Sequence, residues 1–190
     1  MLLSTGPKLP VVSIEERTRR RVEAELDRLE STYGSFDVHE TSWSVPPDRY
    51  ERIRERAEAG TVGAAGVWLT NPAGEVLLVS DADRDGWSEP AGKDEPGERL
   101  EETALRETRE ETGVECEITG VALAHVVEAL PPGVSPQPLT RLIVAFRGIY
   151  RGGTPRPRDD DITAVKWWSE HPERLVYDGL AEIDIPASET

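Results

Sequence analysis

The run from Gly92 to Val114, GKDEPGERLEETALRETREETGV, constrains this 190-residue chain more than any other stretch. Between Glu89 and Glu117 stand eleven carboxylates and four basic residues, a local net charge of −7. Like charge at that density repels itself unless it is solvated, spread out, or holding cations. With no convergent His or Cys, the run offers oxygen alone, which points to a hard ion such as magnesium or manganese. Residues 99–112 are good helix formers and stop at Gly113. At about 100° per residue, Glu107, Glu110 and Glu111 share one edge of that helix. Leu100, Ala104, Leu105, Thr108 and Thr112 fill the adjoining arc, which is expected to pack on a sheet. Arg106 lies four residues from Glu102 and from Glu110 and so can bridge and orient carboxylates. Glu98 would fall on the opposite side of a helix from Glu107. It is therefore expected in the preceding loop, with Pro96-Gly97 bending the chain back toward the acidic edge.

The flanking patterns give the context. Val62 to Leu69 and Glu75 to Val79 read as strands joined by the turn Asn71-Pro72-Ala73-Gly74. Further strands are expected at 117–128, 141–150 and 162–168, with a short helix near 172–180. Pro131 to Thr140 reads as a long loop of the kind that often carries function. Residues 1–60 differ: they are nearly balanced in charge and read as two helices. The first begins at the capping box Ser13-x-x-Glu16 and repeats apolar residues at helical spacing. The second begins near Pro46-Pro47 and stops at Gly60. The expected organisation is an N-terminal helical extension over 1–60, then a domain of strands and helix over 61–190.

The spacing of the acidic run resembles the signature of the Nudix hydrolase family, G-x5-E-x7-R-E-U-x-E-E-x-G-U, where U is a bulky aliphatic residue. Gly92, Glu98, Arg106, Glu107, Glu110, Glu111, Gly113 and Val114 match it. Thr108 departs at the first U position; it keeps a branched methyl and adds a hydroxyl that can bond to the preceding turn. The resemblance covers about 61–175. It implies an α/β fold, an α/β/α sandwich with a mixed sheet. It also implies magnesium- or manganese-dependent hydrolysis of a nucleoside diphosphate linked to another group, for example an ADP-ribose-like sugar or an oxidised nucleoside triphosphate. By position, Glu107 and Glu111 would be metal ligands, Glu110 a ligand or water partner, Arg106 an orienting bridge, and Glu98, also of the catalytic set, a further ligand or a carboxylate supporting the ligands. The Gly92 carbonyl would complete the metal shell. The general base is left open among Glu107, Glu110, Glu128 and the Asp159-Asp160-Asp161 run. Lys93 would meet a phosphate and Trp87 a base. The alternative is a catalytically weak Nudix-fold nucleotide sensor or interaction module. Residues 1–60 have two roles open to them, a homodimer interface or a cap on the substrate cleft.

Composition narrows the remaining classes. A formal net charge of −15 excludes a basic surface that grips nucleic acid by charge alone. Arg17-Thr18-Arg19-Arg20-Arg21 is read as a solvated helix face, because Glu23, Glu25 and Asp27 follow it. His39, His125 and His171 are scattered and read as structural. One cysteine, Cys116, excludes an intramolecular disulfide and a multi-cysteine zinc site. Three lysines against nineteen arginines, with the acid excess, suggest a salt-rich cytoplasm. There the screening length falls to about 3 Å at molar salt and carboxylate repulsion is damped. No segment approaches the roughly 18 apolar residues of a membrane span, and the start lacks the pattern of a secretory leader, so a cytoplasmic location is expected.

Overall fold

The computed structural model describes residues 12–131, 133 and 138–186. Helix α1 spans Ile14–Tyr33, strand β1 Val38–Ser44 and helix α2 Pro47–Glu58. Strands β2 (Gly63–Thr70), β3 (Val76–Asp81) and β4 (Ala91–Lys93) precede helix α3 (Leu100–Thr112). Strands β5 (Val114–Leu130), β6 (Leu139–Gly153) and β7 (Ile162–Trp168) follow, then a 3-10 turn at Asp178–Glu182. The seven strands form one sheet in the order β1-β5-β6-β2-β3-β7, with β4 paired to β2. The sheet is mixed: β1 runs parallel to β5 and β2 parallel to β6, while the other pairs are antiparallel.

Alternation along the strands sends side chains to two cores. Val67, Leu69, Leu77, Val144 and Phe146 face α1 and α3, whose Val22, Leu29, Leu100 and Ala104 complete that cluster. Trp68, Val76, Leu78 and Ala145 face the other way, where Leu180 and Ile183 of the C-terminal segment cover them. The short helix expected at 172–180 is thus a 3-10 turn displaced toward the end.

The strand β1 between the first two helices does not show in the sequence pattern. Only Val38 and Trp43 of its seven residues are large and apolar, and its burial pattern is mostly exposed. It exists because β5 offers it a parallel edge from Ala124 to Leu130. Helix α1 is built into the same frame. Ser13 Oγ accepts the Glu16 N–H at its start, and Thr18, Val22 and Leu29 are buried along one stripe. Tyr33 packs edge-on against Phe146, and Arg28 reaches from α1 to Glu101 of α3. In the arginine-rich run, Arg19 and Arg20 pair with Glu23 and Glu16, and Arg21 donates to the Ala57 and Thr61 carbonyls at the end of α2.

Candidate active site

The acidic run folds as strand, loop and helix. Gly97 takes φ +86°, and the turn it makes brings Glu98 back alongside α3. Glu98 then accepts two bonds from Arg106, at 2.8 Å from Nε and 2.9 Å from Nη2. Thr103 Oγ1 and the Glu95 N–H donate to the same carboxylate. This bidentate grip holds the Glu98 proton affinity down, to a pKa of about 2. Glu98 is therefore a fixed anion whose oxygens are engaged by its neighbours. Its structural effect is to aim Arg106, which also donates to Glu107 Oε1 at 2.6 Å and to Glu110 Oε2 at 3.3 Å.

Thr108, the departure from the aliphatic pattern, is fully buried and donates its hydroxyl to the Ala104 carbonyl at 2.7 Å. The bond satisfies the hydroxyl inside the core, so the substitution leaves the acidic edge undisturbed. Gly113 ends α3 with φ +73° and donates its N–H to Arg109.

Glu107 and Glu111 sit one turn apart against strand β4. A Cβ on Gly92 would stand 2.1 Å from the Glu107 carboxylate, so only glycine permits this approach. Glu111 is 8% exposed and accepts the Ala91 N–H at 3.1 Å. Burial raises the proton affinity of both acids, that of Glu111 to a pKa of about 8, with the Glu107 charge adding to the effect on Glu111. Two carboxylates desolvated side by side are short of positive charge, and their donors are all oxygen. That combination suits a hard divalent cation. Among the described residues, however, no three His, Cys, Asp or Glu side chains are gathered closely enough to cage an ion as they stand. Arg106 draws Glu98, Glu107 and Glu110 to itself, and Glu111 turns to the β4 backbone.

Glu110 is the open member of the set, its side chain 57% exposed. Beside it, Arg106, Arg109, Arg158 and Asp159 line a groove. The 156–158 segment binds back to the end of α3 through Arg156 N–H to the Thr112 carbonyl and Arg158 N–H to the Glu111 carbonyl. Asp159 is thereby brought near enough for its charge to act on Glu111. Glu128 is not brought to this site. It accepts from Ser42 on the far part of β5 and lines a different groove, with Arg19 and Glu40.

Strand β4 also floors a second cleft, of about 530 Å³. Ala91, Gly92 and Lys93 line it, so the backbone that touches Glu111 and Glu107 is one wall of that space. Opposite stand residues that sequence reasoning did not select: Trp43, Arg49, His125, Arg141 and Tyr177, together with Glu89. Glu89 is 2% exposed; Tyr177 donates to its Oε1, and its Oε2 has no partner among the described residues. Burial pushes Glu89 up to a pKa of about 7. His125, read from sequence as structural, bonds Thr41 at 2.8 Å and meets Trp43 edge-on at 5.7 Å. Arg141 had a visible signal, a lone charge in the apolar run LTRLIVAF. Trp87, expected to meet a base, is placed elsewhere. It stacks edge-on with Trp168 at 5.0 Å and lines a separate groove with Pro172 and Arg174. The reason is its pairing: Trp87 bonds the backbone of Arg174 and Val176, which turns it toward the second core.

Comparisons with known proteins return relatives of one family. The chain is similar to putative nudix hydrolase 1 of Caenorhabditis elegans, 39% identical over 75 residues, covering 37% of this chain and 20% of that protein. It is similar to the human 8-oxo-dGDP phosphatase NUDT18, 48% identical over 46 residues, 23% of this chain and 14% of that one. It also resembles the mouse asymmetrical bis(5'-nucleosyl)-tetraphosphatase, 50% identical over 48 residues, 25% of this chain and 33% of that one. The chain thus spans a third or less of the length of these relatives. Among solved structures, a NUDIX hydrolase from Nitrosomonas europaea superposes with TM-score 0.46 at 23% identity, over 57% of each chain. An ADP-ribose pyrophosphatase from Streptococcus suis gives 0.48 at 17% identity, over 64% of this chain and 85% of that one. A family model described as the NUDIX domain matches residues 60–181, well over half the chain, and with the acid helix, its glycine brackets and its arginine clasp in place, the chain belongs to the Nudix family.

Proposed function

We propose that this protein is a divalent-metal-dependent pyrophosphohydrolase acting on a nucleoside diphosphate linked to another moiety. The observation that carries the reading is the placement of Glu107 and Glu111. They are desolvated acids, raised in proton affinity and pressed against the strand that floors a cleft of about 530 Å³. Glu107 and Glu111 would hold magnesium or manganese, with Glu110 beside them at the solvent side and the Gly92 carbonyl within the same corner. Bound there, the cation would neutralise the linked phosphates and favour hydroxide over water.

The chain's own side chains have separate tasks in this reading. Arg106 fixes the orientation of Glu107 and Glu110, and Glu98 fixes Arg106. Glu110 would accept a proton at its carboxylate oxygens, a role supported by its exposure and its one bond at 3.3 Å. Asp159 is the second acid on that side.

Phosphate release from a nucleotide panel with magnesium tests the reading, with Glu111→Gln as the control. The wild type is expected to turn over at least one nucleotide. Glu111→Gln is expected to lose two or more orders of magnitude in kcat while unfolding at a similar denaturant concentration. Unchanged turnover in Glu111→Gln would overturn the assignment of roles. Nucleotide binding with no turnover by the wild type would favour the sensor reading.

A further inference from the structure

The chain as a whole is acidic, and its arginines are mostly answered by acids. Twelve of the nineteen make ion pairs with carboxylates. Three cations in the cleft depart from that pattern. Arg49, Lys93 and Arg141 all line it, and their side chains make no hydrogen bond or ion pair among the described residues. The acids of the cleft are engaged elsewhere, Asp81 by Arg84 and Glu89 by the Tyr177 hydroxyl, and so is the neighbouring Asp94. It is buried, accepts the Val62 and Gly63 N–H groups, and lies 3.8 Å from Arg56. Arg84, a fourth cation of the cleft, is held by Asp81 at 2.9 Å. Arg141 is the most telling of the three, because it emerges from the interior strand β6 and is only partly exposed. Burial and the charges of Arg49 and Arg56 lower its proton affinity, which records how poorly its charge is compensated in the free protein. A cluster of like charge beside low-dielectric walls focuses a positive potential into the cleft, against the field of a chain carrying −15.

The position of these charges narrows the ligand. On the hydrolase reading, the acid helix and the cation it would hold would take the two phosphates flanking the scissile anhydride. A sugar on the far side of a diphosphate is neutral and would leave Arg49 and Arg141 unanswered. A third or fourth phosphate would answer them, in the planar bidentate manner arginine favours. Trp43, edge-on to His125, adds an aromatic wall to the same cleft. Trp43 and Arg49 lie on β1 and α2, ahead of the region matched by the family model.

We infer that β1 and α2 form a specificity element: Arg49, with Lys93 and Arg141, makes a cationic pole, with no carboxylate paired to it, that selects nucleotides bearing three or more consecutive phosphates over diphosphate-linked sugars. The inference rests on the hydrolase reading above for its kinetic form, but the pole itself binds without catalysis.

The test has two arms. In the first, initial rates with magnesium are measured on GTP, diadenosine tetraphosphate and ADP-ribose for the wild type, Arg49→Ala, Arg49→Lys and Arg141→Lys. The wild type is expected to show kcat/KM at least tenfold higher for the polyphosphates than for ADP-ribose. Arg49→Ala is expected to raise KM for the polyphosphates about tenfold with kcat within about threefold, and to change ADP-ribose parameters less than twofold. Arg49→Lys, which keeps the charge and loses the planar fork, should recover part of the loss. Equal or better use of ADP-ribose, or an equal effect of Arg49→Ala on both classes, would overturn the inference. In the second arm, inorganic tripolyphosphate is titrated calorimetrically into metal-free protein. Binding that weakens about tenfold in Arg49→Ala supports the pole even if no nucleotide is turned over, a result that would instead count against the hydrolase reading. No binding of tripolyphosphate by the wild type overturns the pole. Arg49 lies on the exposed first turn of α2, so its variants are expected to fold.

Discussion

At the scale of single residues, the site depends on what Gly92 lacks. The Glu107 carboxylate occupies the space where any other residue would carry its Cβ, 2.1 Å away. Gly92→Ala should therefore push Glu107 off strand β4 and spoil the proposed metal corner while leaving the α3 core intact. The expected outcome is a loss of at least tenfold in kcat/KM and a rise in the magnesium concentration for half-maximal rate. Magnesium titration of the two proteins checks it, and an unchanged half-maximal concentration would show that Glu107 does not need this approach. Gly92, Glu98 and Arg106 were legible because their spacing is covalent: a helix pitch and one loop suffice to say which acids share an edge. Even the opposed position of Glu98 follows from counting residues. That Arg106 takes three carboxylates at once was not legible, because it depends on the turn at Gly97.

At the scale of elements, the legible parts are those whose burial alternates or repeats locally. Strands β2, β3 and β7 and helix α3 lie within a few residues of their sequence expectations. Strand β1 is the contrast: VHETSWS carries little apolar signal and is held by a parallel partner about 86 residues away, as in the Ser42 and Glu128 pair. The cleft is hidden for the same reason, since Arg49, Lys93 and Arg141 come from three distant elements. Helix α1 was expected as a helix, but its depth in the core comes from the sheet it meets. Leu29 is fully buried in the cluster that holds Phe146 and Ala104. Leu29→Ala should cost about 2–5 kcal/mol of unfolding free energy, the usual range for a buried leucine whose cavity cannot collapse. Urea denaturation measures it; a cost below about 1 kcal/mol would mean that α1 contributes little to the core.

At the scale of the whole molecule, one buried acid sets a pH dependence. Glu89 keeps its proton to a pKa of about 7 in the folded state, against an ordinary value of 4.5. Between those two values the folded protein binds a proton that the unfolded chain has released. The resulting stabilisation is full below about pH 4.5 and is lost as pH rises through 7. At 1.36 kcal/mol per unit the span is about 3 kcal/mol. Glu89→Gln abolishes this titration and still offers an oxygen to the Tyr177 hydroxyl. Measured without metal, the variant should gain stability relative to the wild type between pH 5 and pH 8. An equal difference at both pH values would mean that Glu89 ionises freely in the fold.

The reach of Arg28 from α1 to Glu101 on α3 has a practical side. It couples the first described helix mechanically to the helix bearing the acidic edge. A laboratory that trims the gene to the homologous stretch beginning at residue 60 would amputate this brace, expose Phe146 and Val144 to water, and remove one wall of the cleft. Chimeras are better planned with α1 kept whole.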